Sequence, residues 1–141
     1  MEDNQITIKP EESYKIIRNS VLTAQAKVYT VVNSAMAQAY WEIGQEIHKA
    51  CGENDRAEYG KKLLQYLSEQ LTNEFGKGFT VTNLKYMRQF YRAFPNRHTL
   101  CDELSWSHYR LLMRVENEKT RNFFVSVFII ISTRITIDII S

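Results

Sequence analysis

GKGFTVTNLKYMRQFYRAF, residues 76–94, decides the fold class: a glycine-broken turn followed by a short helix, oily on one side and basic on the other. Gly76 and Gly78 end whatever helix precedes them. Thr80 or Thr82 then caps the next one, because a hydroxyl at that position accepts from the exposed first-turn amides. The spacing predicts a buried side made of Leu84, Met87, Tyr91 and Phe94, with Phe90 at its edge. Lys85, Arg88 and Arg92 fall at i, i+3 and i+7 and share a different face, with Gln89 also looking outward. A turn and helix of this kind read as the second half of a helix-turn-helix, held by its oily side against the preceding helix. That form enters a major groove or lies across phosphates. The competing reading is a solvated polar face that needs no ligand.

Before this stretch, a helix is predicted from about Glu58 to Phe75. Leu63, Leu67, Leu71 and Phe75 recur every four residues with Leu64 beside them, on an otherwise polar sequence. A polar linker, Asn54 to Glu58, precedes it. Further upstream, Tyr14, Ile17, Val21, Ala24, Val28, Val31 and Ala35 alternate steps of three and four, a helical and nearly heptad pattern. The frame then slips to Met36, Ala39, Ile43, Ile47 and Ala50, and Gly52 is a natural stop. One unbroken helix over this span would measure about 57 Å, against a radius of gyration of about 14 Å for a compact domain of this size. Such a helix must overhang and would need a partner, a second copy or a further domain. The alternative is a break near Asn33-Ser34 that folds the two stripes into a hairpin.

After the stretch, Pro95 ends the helix and Asn96 to Glu103 reads as an exposed loop. Ser105 opens another short helix with Trp106, Tyr109 and Met113 on one side and Arg110 and Arg114 aligned at i and i+4. Asn117 caps one more, containing Arg121, Phe123 and Phe124. The domain is therefore expected to be all-α: a long N-terminal helix or hairpin, then a helix-turn-helix-like bundle, with an atypical apolar C-terminal tail. In that tail, Val125 to Ile140, Ile135, Ile137 and Ile139 alternate with Thr136 and Asp138, which is strand periodicity. Three outcomes stay open for it: an extra packed element, an extension of the last helix against its propensity, or an abnormal chain end.

A chain of 141 residues, 44% hydrophobic and 24% charged, holds one domain with a core and has no room for a second. Its net charge of +2 does not announce a nucleic-acid partner, but the distribution is uneven. Acids gather early, at Glu2, Asp3, Glu11 and Glu12, whereas Gly76 to Leu100 carries Lys77, Lys85, Arg88, Arg92 and Arg97 and no acid. Two cysteines and no apolar leader fit a reducing cytoplasm. No stretch reaches the roughly 18 apolar residues of a membrane span, so a soluble, cytoplasmic protein is expected.

His48-x-x-Cys51 and His98-x-x-Cys101 are identical half-patterns that could close a tetrahedral zinc site. Helix-end cysteines more often serve as small buried apolar residues, and neither a metal nor a cofactor is expected. His108 sits where a histidine packs or caps a helix start. No G-x-S-x-G, H-E-x-x-H or phosphate loop is present, and Gly76-Lys77-Gly78 lacks the strand and third glycine of a dinucleotide site. No lysine has Asp or Glu two positions before it, so the D/E-x-K pattern of metal-dependent nucleases is absent from this chain.

WEIG at 41–44, YGKKLLQYLS at 59–68, FGKGFTVTNLKYMRQFY at 75–91 and LSWSHYR at 104–110 together resemble the N-terminal helical domain of the YhcG family. The resemblance covers about residues 13–124. It implies a DNA-binding helical domain that, in the family, precedes a PDDEXK-type nuclease domain. After Arg121-Asn122-Phe123-Phe124 the sequence departs from the family pattern, so residues 125–141 are taken as an atypical tail and the chain as a truncated or frame-shifted member without catalysis. Trp41, Gly44, Tyr59, Gly60, Gly76 and Gly78 are expected to serve packing and turns. The expected partner is duplex DNA, contacted by Lys77, Lys85, Arg88, Gln89, Arg92, Arg110 and Arg114. The alternative is a module that forms a homodimer through its first helix, or docks another domain, without touching nucleic acid.

Overall fold

The computed structural model describes residues 9–52 and 57–140. The element order is α1 (Pro10–Cys51), α2 (Ala57–Phe75), α3 (Val81–Ala93), α4 (Trp106–Leu112) and α5 (Glu118–Ile140), with a short 3-10 turn at Arg97–Thr99 and no strand among the described residues. The fold is all-α. No helix among the described residues is long and apolar enough to cross a membrane.

The first helix is one unbroken rod of 42 residues, so the hairpin reading does not hold. At 1.5 Å per residue it is about 63 Å long. Pro10 starts it, with Glu11 and Glu12 in the first turn, and Gly52 stops it at a φ of 71°. Asn33 and Ser34 offered a break only on composition; Ser34 instead donates to Asp102 Oδ1 at 3.0 Å and ties the rod to the loop after α3. The expected linker from Asn54 lies mostly outside the described residues.

The buried face of α1 coincides with neither apolar stripe read from the sequence and shares only Ile47 with the second. Ala37, Trp41, Gly44, Ile47 and Cys51 face the core, whereas Tyr14, Ile17, Val21, Val28 and Val31 are exposed. The buried set follows what α3 needs. A Cβ on Gly44 would lie 1.9 Å from the carbonyl oxygen of Met87, so the two backbones touch at this crossing. One turn away, the indole Nε1 of Trp41 donates to the carbonyl oxygen of Phe94 at 2.7 Å. This bond satisfies a helix-end carbonyl that burial would otherwise leave unpaired. The oily side of α3 thus rests chiefly on α1, not on the preceding helix.

The turn between α2 and α3 forms as the glycines suggest. Gly76 and Gly78 have φ of 83° and 115°, values that side chains with a Cβ rarely adopt. Thr80 is the cap, accepting from Asn83 N at 3.1 Å, while Asn83 Nδ2 donates to the Gly78 carbonyl at 3.2 Å. On α3, Leu84, Met87, Phe90 and Phe94 are buried and Tyr91 is only half-buried. Phe90 is therefore central and Tyr91 marginal, the reverse of the expectation, because α4 covers the Phe90 side: its ring lies 4.6 Å from that of Tyr109 and 5.4 Å from that of Trp106. In α2, Leu64 is buried but Phe75 is exposed, since the helix outruns the core at its C-terminal end. Tyr59 is likewise exposed and packs no core.

Ser105 caps α4 in a box in which its side chain accepts from His108 N and His108 Nδ1 accepts from Ser105 N at 3.0 Å. Asn117 caps α5 through Thr120 N at 3.1 Å. The isoleucine-rich tail is helical, not a strand: α5 runs without interruption to Ile140. Val125, Phe128 and Ile129 recur at i, i+3 and i+4 and pack against the cluster of Trp41, Phe90 and Tyr109. That periodic contact outweighs local β propensity, which is a context-dependent preference of about 1 kcal/mol at most. Ser126 and Thr133 also return their hydroxyls to the helix, donating to the carbonyls of Asn122 and Ile129.

Two predictions follow from the core. Gly44→Ala improves helix propensity by about 1 kcal/mol yet forces α1 off α3. Urea unfolding should show a net loss of about 2–4 kcal/mol, whereas Gly60→Ala, whose Cβ would meet only Cys51 Sγ at 3.4 Å among the described residues, should be neutral or mildly stabilising. Burial pushes the Tyr109 hydroxyl from its ordinary value of 10 up to about 12; the hydrogen bond with Cys101 opposes the shift, and Cys101, Asp102 and Glu103 add to it. The folded state thus holds a proton that the unfolded state has already lost, and this contribution, about 3 kcal/mol at most, is complete below pH 10 and disappears as pH rises from 10 to 12. Tyr109→Phe should flatten the stability profile in that window. It should also cost about 1–2 kcal/mol at neutral pH, because Cys101 N loses its 2.8 Å acceptor.

Candidate functional site

The outward face of α3 forms one wall of an open groove of about 1030 Å³. Its opposite wall is the first half of α2, with Ala57, Gly60, Lys61, Leu64 and Gln65, and its far end is closed by Met113, Glu116 and Arg121. The placement is a direct consequence of the α1–α3 crossing. With Leu84, Met87 and Phe90 turned inward, Lys85, Arg88, Gln89 and Arg92 are left on the opposite arc of a 3.6-residue helix.

Four of the seven residues expected from the sequence therefore line one groove: Lys85, Arg88, Gln89 and Arg92. Lys85, Gln89 and Arg92 are exposed and Arg88 is half-buried. The other three stand apart from it. Lys77 is exposed in the turn before α3, and Arg114 is exposed just past α4. Arg110 lies around the side of α3, its guanidinium 4.6 Å above the ring of Tyr86. Arg97, part of the same charge excess, is paired with Glu42 Oε1 on α1 at 3.1 Å.

Two groove cations carry no mark in the α3 sequence. Lys61 comes from α2, where its place one turn before Leu64, at the edge of the leucine stripe, is the only signal that it could face a partner. Arg121 comes from α5 and doubles as a staple. Its Nη1 donates to the Ala93 carbonyl at 3.1 Å, and Nε and Nη2 donate to the Val115 carbonyl at 3.0 and 2.9 Å, with the guanidinium 5.6 Å from the Phe94 ring centre. It holds the start of α5 onto the end of α3 while keeping a positive charge at the groove end. Lys61, Lys85, Arg88, Arg92 and Arg121 thus share the groove with one carboxylate, Glu116, among the described lining residues.

The chemistry available here is binding of anions, with no paired acid and base and no nucleophile beside a base among the described lining residues. The zinc pattern does not assemble: among the described residues no three His, Cys, Asp or Glu side chains are grouped to hold a metal. The His48 ring lies 5.3 Å from that of Tyr91 at a tilt of 49°, and Cys51 is buried in the cluster of Ile47, Leu64, Leu84 and Met87. Cys101 packs against the separate cluster around Phe90 and Tyr109. Burial, then the charges of Glu103 and Asp102, push the Cys101 thiol up, which keeps it protonated and a poor nucleophile.

Comparison with known proteins places this architecture. Residues 16–132 match the family described as "DUF1016 N-terminal domain", and the match runs into α5 past Phe124. A segment of 87 residues is 34% identical to the protein named "Putative nuclease YhcG" from Escherichia coli (strain K12), covering 59% of this chain and 23% of that relative. The chain thus spans less than a quarter of the curated relative it matches. No solved structure matches the chain. With the matched residues reaching from the exposed part of α1, through the groove, into α5, the chain belongs to the DUF1016 N-terminal domain family.

Proposed function

We propose that this domain binds duplex DNA, chiefly through phosphates, with α3 as the outward helix of a helix-turn-helix-like pair. The observation that carries the reading is the groove: five cations from α2, α3 and α5 converge on one open surface whose described lining residues include a single carboxylate. Phosphate contacts made by Lys and Arg supply most of the affinity and fix the register on the duplex. Gln89, in the middle of the basic face, has the amide geometry that pairs with an adenine edge when a helix enters the major groove. A polyphosphate ligand also suits a domain whose relative carries the name "Putative nuclease YhcG".

In this reading the domain supplies targeting and not cleavage. Among the described residues the groove offers no carboxylate cluster for a divalent ion, and the chain has no D/E-x-K triplet. The structure-holding role of Arg121 and the ring contact of Arg110 leave Lys85 and Arg92 as the cleanest residues to remove.

Titration of a labelled duplex over a range of salt concentrations tests the proposal. Each phosphate contact contributes about 0.9 to the log–log salt slope, so Lys85→Ala with Arg92→Ala should reduce it by about 1.8 and weaken binding across all sequences. Arg18→Ala with Lys27→Ala, on the far part of α1, should change neither. An unaltered slope and affinity in the Lys85, Arg92 variant would remove the groove from the binding surface.

A further inference from the structure

α1 carries two apolar faces, and the core uses only one. Ala37, Trp41, Gly44, Ile47 and Cys51 point inward, and half-buried Leu22 and Ala26 continue that side toward the N-terminus. The heptad stripe of Tyr14, Ile17, Val21, Ala24, Val28, Val31 and Ala35 lies about half a turn away at 100° per residue. All seven are exposed, the five large ones between 50% and 67%. A stripe that keeps the 3–4 spacing of a coiled-coil seam over three heptads, on a rod that outruns its own domain, is left without a hole for any of its knobs.

We infer that this stripe is a seam for a second copy of the same chain, giving a two-stranded coiled coil over residues 14–35. The repeat is self-complementary, as a two-fold interface must be, because one patch serves both subunits. Val21 and Val28 occupy the positions where β-branched residues favour two strands, and Ala24 and Ala35 permit close approach. Of the flanking positions, Ser13, Ser20, Gln25, Val32 and Ser34 are uncharged and only Arg18 and Lys27 are cationic, so a second copy brings few like charges together. About 33 Å of paired helix buries on the order of 700 Å² per chain, close to the ~800 Å² per partner of a stable specific interface. The core of each domain lies on the far side of α1, so pairing leaves it in place. The inference does not depend on DNA binding.

Sedimentation velocity on the 141-residue chain, from 5 to 100 µM and without nucleic acid, tests it. The expected species is a dimer of about 33 kDa, twice the 16.6 kDa of the chain. Val21→Gln with Val28→Gln should raise the dimer dissociation constant at least ~100-fold and leave the helical circular dichroism per chain unchanged. Ala24→Lys, at a third seam position, should dissociate it likewise. Ile16→Gln with Tyr29→Gln removes exposed apolar surface beside the seam and should leave the dimer intact. A wild-type chain that stays monomeric at 100 µM, seam variants that remain dimeric, or off-seam variants that dissociate equally would each overturn the inference.

Discussion

The fold hangs on a backbone-to-backbone contact. Gly44 of α1 meets the carbonyl of Met87 of α3 so closely that no side chain fits between them. Trp41, one turn earlier, fixes the rotation of the pair by donating to the Phe94 carbonyl. A glycine within a helix costs about 1 kcal/mol relative to alanine, and here the two helices recover it by approaching far enough for Leu84, Met87 and Phe90 to be sealed from water. The buried indole adds area and closes an otherwise orphaned helix end. Everything downstream is positioned from α3.

The basic groove is a consequence of that crossing. Once Met87 and Phe90 are committed to α1 and α4, the remaining arc of α3 has to present Lys85, Arg88, Gln89 and Arg92 outward. Two further connections turn a face into a groove. The Gly76–Gly78 turn folds α2 back alongside α3 and brings Lys61 across from it. Arg121 ties α5 to the Ala93 carbonyl and supplies the last charge. Removing Lys85 or Arg92 and removing a core contact are therefore distinct perturbations, since both cations are exposed and lie outside the buried clusters.

The C-terminal helix shows how far local preference can be overruled. Alternating isoleucine and threonine in the tail reads as a strand, but a strand there would have no neighbour among the described residues to satisfy its backbone. A helix closes its own hydrogen bonds and places Val125, Phe128 and Ile129 on the core together. The phenylalanine ring of Phe128 lies 5.5 Å from the capping His108, so the same helix also braces the start of α4.

Local signals in the sequence determined the helix ends and the connections: the glycine turn, the caps at Thr80, Ser105 and Asn117, the stop at Gly52, and the 3.6-residue periodicity that makes the chain helical up to Phe124. These depend on neighbours a few residues apart, and short-range chemistry fixes them. The sequence also placed four of the groove residues on one face, because a helix repeats its own geometry. Which face of α1 is buried, the exchange of Phe90 and Tyr91, the helical state of the tail and the arrival of Lys61 and Arg121 were decided only in the tertiary structure. Each turns on contacts between residues far apart in the chain, where a single glycine sets how close two helices come and a carbonyl 53 residues away decides which way a tryptophan points.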